Sequence, residues 1–285
     1  MTDLGATTAF PLARDVLVVT GPDAESYLQG QVSQDVEAMA VGESAWSFVL
    51  APNGKVTAWF RITRRADDWV LDTDAGAGEA LAARLTRFLL RTDATVLPVQ
   101  WQGIAVRGPD SHAVGAALGS TSEIVADAGW PGVDGVDLLG PSVAPPDDLP
   151  RGDADGLDAR RIEAGVPAMG SEIDESTIPA ATGMVERSVS FTKGCYTGQE
   201  LVARINSRGG STPTRLCRAR TDGELAPGAT LSVDGDEVAT VTSTAPATSG
   251  SGTVGLAYVK RAVEVPVQAI SADGAVVDLT PLPSA

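Results

Sequence analysis

The residues best suited to chemistry lie in one segment, Lys193 to Glu200, reading KGCYTGQE. A thiol two residues after an ammonium is a setting for a thiolate, because a nearby cation stabilises the anion. Such surroundings bring a cysteine from a pKa of ~8.5 into the ~3.5–7.5 range. Gly194 and Gly198 bracket Cys195 and allow backbone angles closed to other residues. Leu201, Val202 and Ile205 have helical spacing, which predicts a helix from near Gln199 and sets Cys195 just ahead of its positive end. The neighbours Lys193, Tyr196, Thr197, Gln199 and Glu200 make a poor apolar shell, so Cys195 is read as a reactive thiol and Lys193 as its stabilising cation. Cys217, inside RLCRAR, alternates with arginines as an inward-facing strand residue would, and is read as structural.

The rest of the composition narrows the chemistry. The one histidine, His112, follows GPDS at an expected helix start and reads as a surface residue, which argues against a Cys-His or Ser-His-Asp nucleophile. One His and two Cys are too few for a zinc site or a resident iron–sulfur cluster, so no metal is expected. The 37 acidic and 21 basic residues leave a net charge of −16, which repels phosphate backbones; direct nucleic-acid binding is not expected. The chain has 18 Arg but only three Lys (55, 193 and 260), so a lysine beside the cysteine stands out. No window is apolar enough for a membrane span and MTDLGATTAFPLARD lacks signal-peptide features; with two cysteines, these point to a cytoplasmic protein, expected as a monomer.

The elements that must position the segment follow from periodicity. DVLVVT (15–20) is a β-branched strand; Pro22 and Asp23 then open a helix with Ala24, Tyr27 and Leu28 on one face and Gly30 as its C-terminal cap. WSFVLA (46–51) and KVTAWFRIT (55–63) flank the turn Pro52-Asn53-Gly54. WVLDT (69–73) is a strand, and 78–92 reads as a helix with Leu81, Leu85, Phe88 and Leu89 facing the core. Residues 103–118, GIAVRGPDSHAVGAAL, repeat the order strand, Gly-Pro-Asp, helix, which suggests two related α+β subdomains. A Pro/Gly/Asp-rich loop (140–153), a helix over roughly 154–164 and a long polar loop (170–184) lead to the cysteine segment. From 214, short alternating runs separated by Gly, Asp and Ser turns predict an all-β barrel or sandwich. The expected class is therefore α+β, with 1–213 as two subdomains that could interleave and 214–285 as a β module.

KGCYTGQE resembles the signature of the YgfZ-type folate-binding proteins, relatives of the glycine-cleavage T-protein (the GcvT superfamily). GPDAESYLQGQVSQDV, APNGKVTAWFRI, RRIEAGVPAMGSEIDESTIPA and GLAYVKR resemble further family segments in the family's order, covering most of the chain. The resemblance implies a ring of two α+β subdomains and a C-terminal β-barrel around a channel for tetrahydrofolate or a derivative. It implies Glu163 as the carboxylate on the pterin's donor-rich edge, with Lys193 and Cys195 facing the channel. Gln29, Gln31, Asp35, Tyr196 and Gln199 are its remaining candidate cofactor contacts. The implied role is an accessory one in assembly or repair of iron–sulfur enzymes, including a tRNA methylthiolase, so the expected partners are folate and iron–sulfur enzymes or assembly proteins. A folate-dependent one-carbon (aminomethyl) or sulfur transferase and a non-catalytic folate-binding scaffold are the alternatives. Two departures bear on these: Arg14 and Leu157 stand where the best-studied pattern has tryptophans, and DTDAGAGE (72–79) offers no equivalent of the T-protein's catalytic aspartate.

Overall fold

The two Gly-Pro-Asp repeats become the two centres around which the first 140 residues fold. In the computed structural model, which describes residues 6–248 and 250–283, strand β1 (Thr8–Pro11) and strand β2 (Arg14–Thr20) precede helix α1 (Ala24–Gln31). Strands β3 (Ser44–Leu50), β4 (Val56–Arg64) and β5 (Trp69–Asp74) follow, then helix α2 (Gly78–Thr86) and strand β6 (Thr95–Val99). Strand β7 (Gln102–Arg107), helix α3 (Ser111–Leu118), and strands β8 (Ile124–Asp127) and β9 (Gly135–Gly140) form the second half.

Each repeat turns the same way for the same reason. Gly21 has φ +115 and Gly108 φ +128, and a Cβ at either would lie 2.3 Å from the Asp93 carbonyl oxygen or 2.7 Å from the Thr7 Cα. Only glycine fits both the angle and the space. The proline starts the turn at once, and Ala24 N–H and Ser111 N–H close it on the Gly21 and Gly108 carbonyls, each at 3.0 Å.

The halves are interleaved. A five-stranded antiparallel sheet runs β3-β4-β5-β2-β6 and a four-stranded one runs β1-β7-β9-β8. Thus β1, just ahead of β2 in the chain, pairs with β7, while β6, just ahead of β7, pairs with β2. Each half lends its leading strand to the other. A buried ionic chain ties the sheets together: Arg14 Nε lies 2.8 Å from Asp72, Arg61 bonds Asp72 at 3.0 and 3.1 Å and Asp137 at 2.9 Å, and Arg107 bonds Asp137 at 2.8 Å. Burial disfavours the charge on Arg61, but Asp72 and Asp137 outweigh it and keep it protonated.

Two sequence expectations change. The helix expected over 78–92 ends at Thr86. Phe88 and Leu89 N–H groups close tight turns on Leu85 and Thr86, and Arg91 adopts φ +63 so that the chain can turn into β6. Phe88 is therefore 41% exposed rather than in the core. Gly30 is not the cap of α1 either; the helix runs on to Gln31, and a lysine from elsewhere closes its end, as described below.

Helix α4 (Ala154–Glu163) follows the loop, capped by the Asp153 side chain on Gly156 N–H at 2.8 Å. The polar loop 170–184 is held by its own buried carboxylate. Glu172 accepts from Arg161 and from Ala168 N–H, each at 3.0 Å, and from the Ser243 hydroxyl. A short helix α5 (Val185–Ser188) and helix α6 (Gln199–Ser207) flank the cysteine segment. The last six strands, β10 (Thr214–Thr221), β11 (Thr230–Val233), β12 (Asp236–Pro246), β13 (Thr253–Lys260), β14 (Val267–Ser271) and β15 (Val276–Pro281), close into a barrel in the order β10-β13-β12-β11-β14-β15. Cys217 is fully buried in its core.

Candidate functional site

The cysteine segment is laced to the end of α1. Ser190 N–H bonds the Ser33 carbonyl at 2.9 Å, and the Ser33 hydroxyl bonds the Ser188 carbonyl at 2.6 Å. The Lys193 ammonium then donates to the carbonyls of Gln29 and Val32, both at 2.8 Å, and of Gln34 at 2.6 Å. Helix α1 has no basic residue in its last turn, so this distant lysine supplies the positive charge that the negative end of a helix favours. Burial pushes the ammonium down to about 8 against the pull of Asp35 and Glu37, which leaves it mostly charged at neutral pH. All three of its donors are engaged by carbonyls. The charge that spacing assigned to Cys195 is thus directed at α1, where it ties down the loop that carries the thiol.

Cys195 is exposed. The turn around it needs Gly198 but not Gly194: Gly198 has φ +82 and its Cβ position lies 2.7 Å from both the Ala51 carbonyl oxygen and Leu50 Cβ, whereas Gly194 faces open space. Tyr196 anchors the turn on the inside. It is buried in an apolar cluster with Phe48, Trp59, Ala164, Val166 and Val202, and burial pushes its phenol up to about 12. Helix α6 begins at Gln199, whose side-chain oxygen accepts from Tyr196 N–H at 3.4 Å. The other polar candidates sit beside α1's end with partners of their own. Gln29 donates to Asp35 at 2.8 Å and accepts from Val36 N–H at 3.0 Å, and Gln31 accepts from Arg84 at 3.1 Å.

Glu163 stands elsewhere. It ends α4 at a cavity of about 860 Å³ between that helix, the barrel strands β10, β13, β14 and β15, and the segment 131–133. Its carboxylate accepts from the Thr248 hydroxyl and lies 3.9 Å from Arg220, while Arg218 reaches its carbonyl at 3.4 Å. Arg160 lines the same space with the apolar Ile162, Val254 and Leu279. None of the other seven predicted site residues lines this cavity among the described residues. One link remains, because Ala164, on the cavity wall, shares Tyr196's apolar cluster.

These positions now have relatives. Residues 15–130 match the GCVT N-terminal domain. The crystal structure of glycine cleavage system aminomethyltransferase T from Bartonella henselae superposes with a TM-score of 0.82, covering 98% of this chain and 86% of that one at 20% identity. The chain carries a GCVT N-terminal domain within the fold of that aminomethyltransferase. A tRNA-modifying protein YgfZ from an Enterobacter species is 30% identical over 213 residues, 67% of this chain and 65% of that protein. Another, from Edwardsiella ictaluri, is 28% identical over 214 residues, 67% of this chain and 64% of its own. The match spans just under two thirds of these relatives' length.

Three arginines of the Glu163 cavity escaped the sequence reading. Arg218 and Arg220 are two apart in β10 and so share a face; that alternation was the available signal, while Arg160 is placed only by the packing of α4. The buried chain through Arg14, Arg61, Arg107, Asp72 and Asp137 left no signal, since its members come from five strands of two sheets. Arg14, at a position where the family pattern has a tryptophan, is committed to Asp72 and Asp74, and Leu157 packs with Phe10. His112 is exposed beside Asp127 at 3.7 Å. No helix among the described residues is long and apolar enough to cross a membrane, and none of their His, Cys, Asp and Glu side chains cluster in a metal-binding group.

Proposed function

We propose that this chain is a folate-binding accessory protein of iron–sulfur metabolism, serving enzymes that include those of tRNA modification. Tetrahydrofolate or a derivative occupies the Glu163 cavity, and Cys195 is the working thiol. The observation that carries the reading is the cavity itself: two carboxylates, Glu163 and Asp278, and three arginines on apolar walls, in a space of about 860 Å³. Sites for small molecules are of this size and make-up, and a carboxylate complements the paired N–H donors of a pterin edge. Thr248 and Arg220, which now engage Glu163, release it to the ligand. The name of the YgfZ relatives supports the tRNA link, and the exposed thiol supports transfer of sulfur, a one-carbon unit or a cluster contact at Cys195.

The one-carbon transferase reading draws on the fold alone. The acids nearest its requirement, Asp72 and Asp74, are both bound to Arg14. Titration of the purified protein with tetrahydrofolate tests the proposal: saturable binding that Glu163→Gln weakens is expected, and absence of saturable binding in the unaltered chain sinks it in favour of a scaffold. Cys195→Ala is expected to keep binding and stability but lose support of tRNA methylthiolation in cells lacking the protein. Turnover of an aminomethyl donor would instead establish the transferase.

A further inference from the structure

The end of α2 carries a basic and partly apolar patch. Residues 84–91, RLTRFLLR, hold three arginines and no carboxylate in a chain of net charge −16. Leu90 is 86% exposed and Phe88 41%, with the Arg84 guanidinium 4.2 Å from the Phe88 ring. The helix that periodicity would have continued stops at Thr86, and this is what turns Phe88 outward.

This patch and the Cys195 loop share their anchors. Arg84 donates to the Gln31 side chain at 3.1 Å and to the Leu50 carbonyl at 3.2 Å. The Cys195 loop reaches the same two places, Lys193 on the Gln29 and Val32 carbonyls and Gly198 against Leu50. Phe191, two residues before Lys193, is 46% exposed. An arginine-rimmed apolar patch and the loop of the exposed thiol are therefore both anchored on the end of α1 and on Leu50.

We infer that the α2 end and the Cys195 loop form one docking surface for a partner protein whose contacting face has an apolar centre ringed by Asp and Glu. Charge complementarity selects that partner: three arginines with no carboxylate among them attract an acidic rim. Exposed aromatic side chains with arginine are the composition of a protein interface core. RNA is disfavoured by the long-range field of the acidic chain, and phosphate contacts give Leu90 nothing to bury. The docked partner lies alongside Cys195. The inference does not depend on the folate reading.

The test places the photo-crosslinking residue p-benzoylphenylalanine at position 90, and at the exposed barrel residue Val276 as control, in the full chain in its native cells. Mass spectrometry then identifies the crosslinked peptide. The expected result is a foreign protein captured at position 90 but not 276, through a peptide with Asp or Glu around apolar residues. The paired changes Arg87→Glu and Arg91→Glu should lower that yield about tenfold, with the melting temperature and tetrahydrofolate titration unchanged. Capture of RNA, capture of a second copy of this chain, equal capture at both positions, or a yield indifferent to charge reversal would each overturn the inference.

Discussion

Helices α1 and α3 follow the same Gly-Pro-Asp turn, yet their far ends are closed in opposite ways. In α3 the closure is local: Thr121 and Ser122 N–H groups return to the Leu118 carbonyl at 3.0 and 3.1 Å. In α1 it is remote, made by an ammonium whose position in the chain is 159–164 residues from the carbonyls it holds. A local cap stabilises one helix, whereas a remote one also fixes whatever segment carries the cap. The first half of the repeat thus became the mount for the cysteine loop, while the second half remained scaffold, joined to the first by buried ions.

That contrast can be broken at its strongest point first. Asp137→Leu leaves Arg61 and Arg107 buried without their shared carboxylate and should cost about 3–5 kcal/mol in urea unfolding. Burial alone would raise the Asp137 carboxyl, but Arg107 and Arg61 outweigh it and hold it below the usual range. Its contribution is therefore complete above the unfolded-state value of ~3.9 and lost as pH falls through the lower folded value. The urea midpoint of the unaltered protein should drop below about pH 4, and that of Asp137→Leu should drop less.

Lys193→Met removes the donor from three carbonyls and should cost about 2–3 kcal/mol. Amide exchange in this variant should accelerate in α1 and the Cys195 loop and not in α3; equal acceleration in both would erase the distinction drawn between them. Gly21→Ala and Gly108→Ala test what the repeats share. Each puts a Cβ against backbone at positive φ, so both should lose about 1–3 kcal/mol, and by similar amounts. The smallest effect is expected at the end of α3. Gly119 has helical φ −58, and an added Cβ meets its nearest atom at 3.5 Å. Gly119→Ala should raise stability by about 0.5 kcal/mol in thermal unfolding, through the lost freedom of the unfolded chain.

Much of this architecture was legible because it is written locally. The strand–turn–helix repeats, the Pro52-Asn53-Gly54 hairpin, the start of α6 at Gln199 and the burial of Cys217 each follow from residues within a few positions of one another. The failures also share a cause. Phe88 was read as core because its spacing is helical, but the path into β6 ends the helix earlier. Gly30 was read as a cap because glycine often is one; Lys193 made that unnecessary.

By itself the sequence determined that a thiol beside a lysine, between two glycines, precedes a helix, and that two like α+β units precede a β module. Those features rest on periodicity, turn chemistry and short-range charge, which act over a few residues. Only the tertiary structure decided where the lysine's charge is directed, that the two units exchange their leading strands, and that Glu163 meets Arg220 and Thr248 rather than the cysteine loop. Each of these is a contact between groups distant in sequence. Its partner is chosen by which polar groups folding buries together and must therefore satisfy.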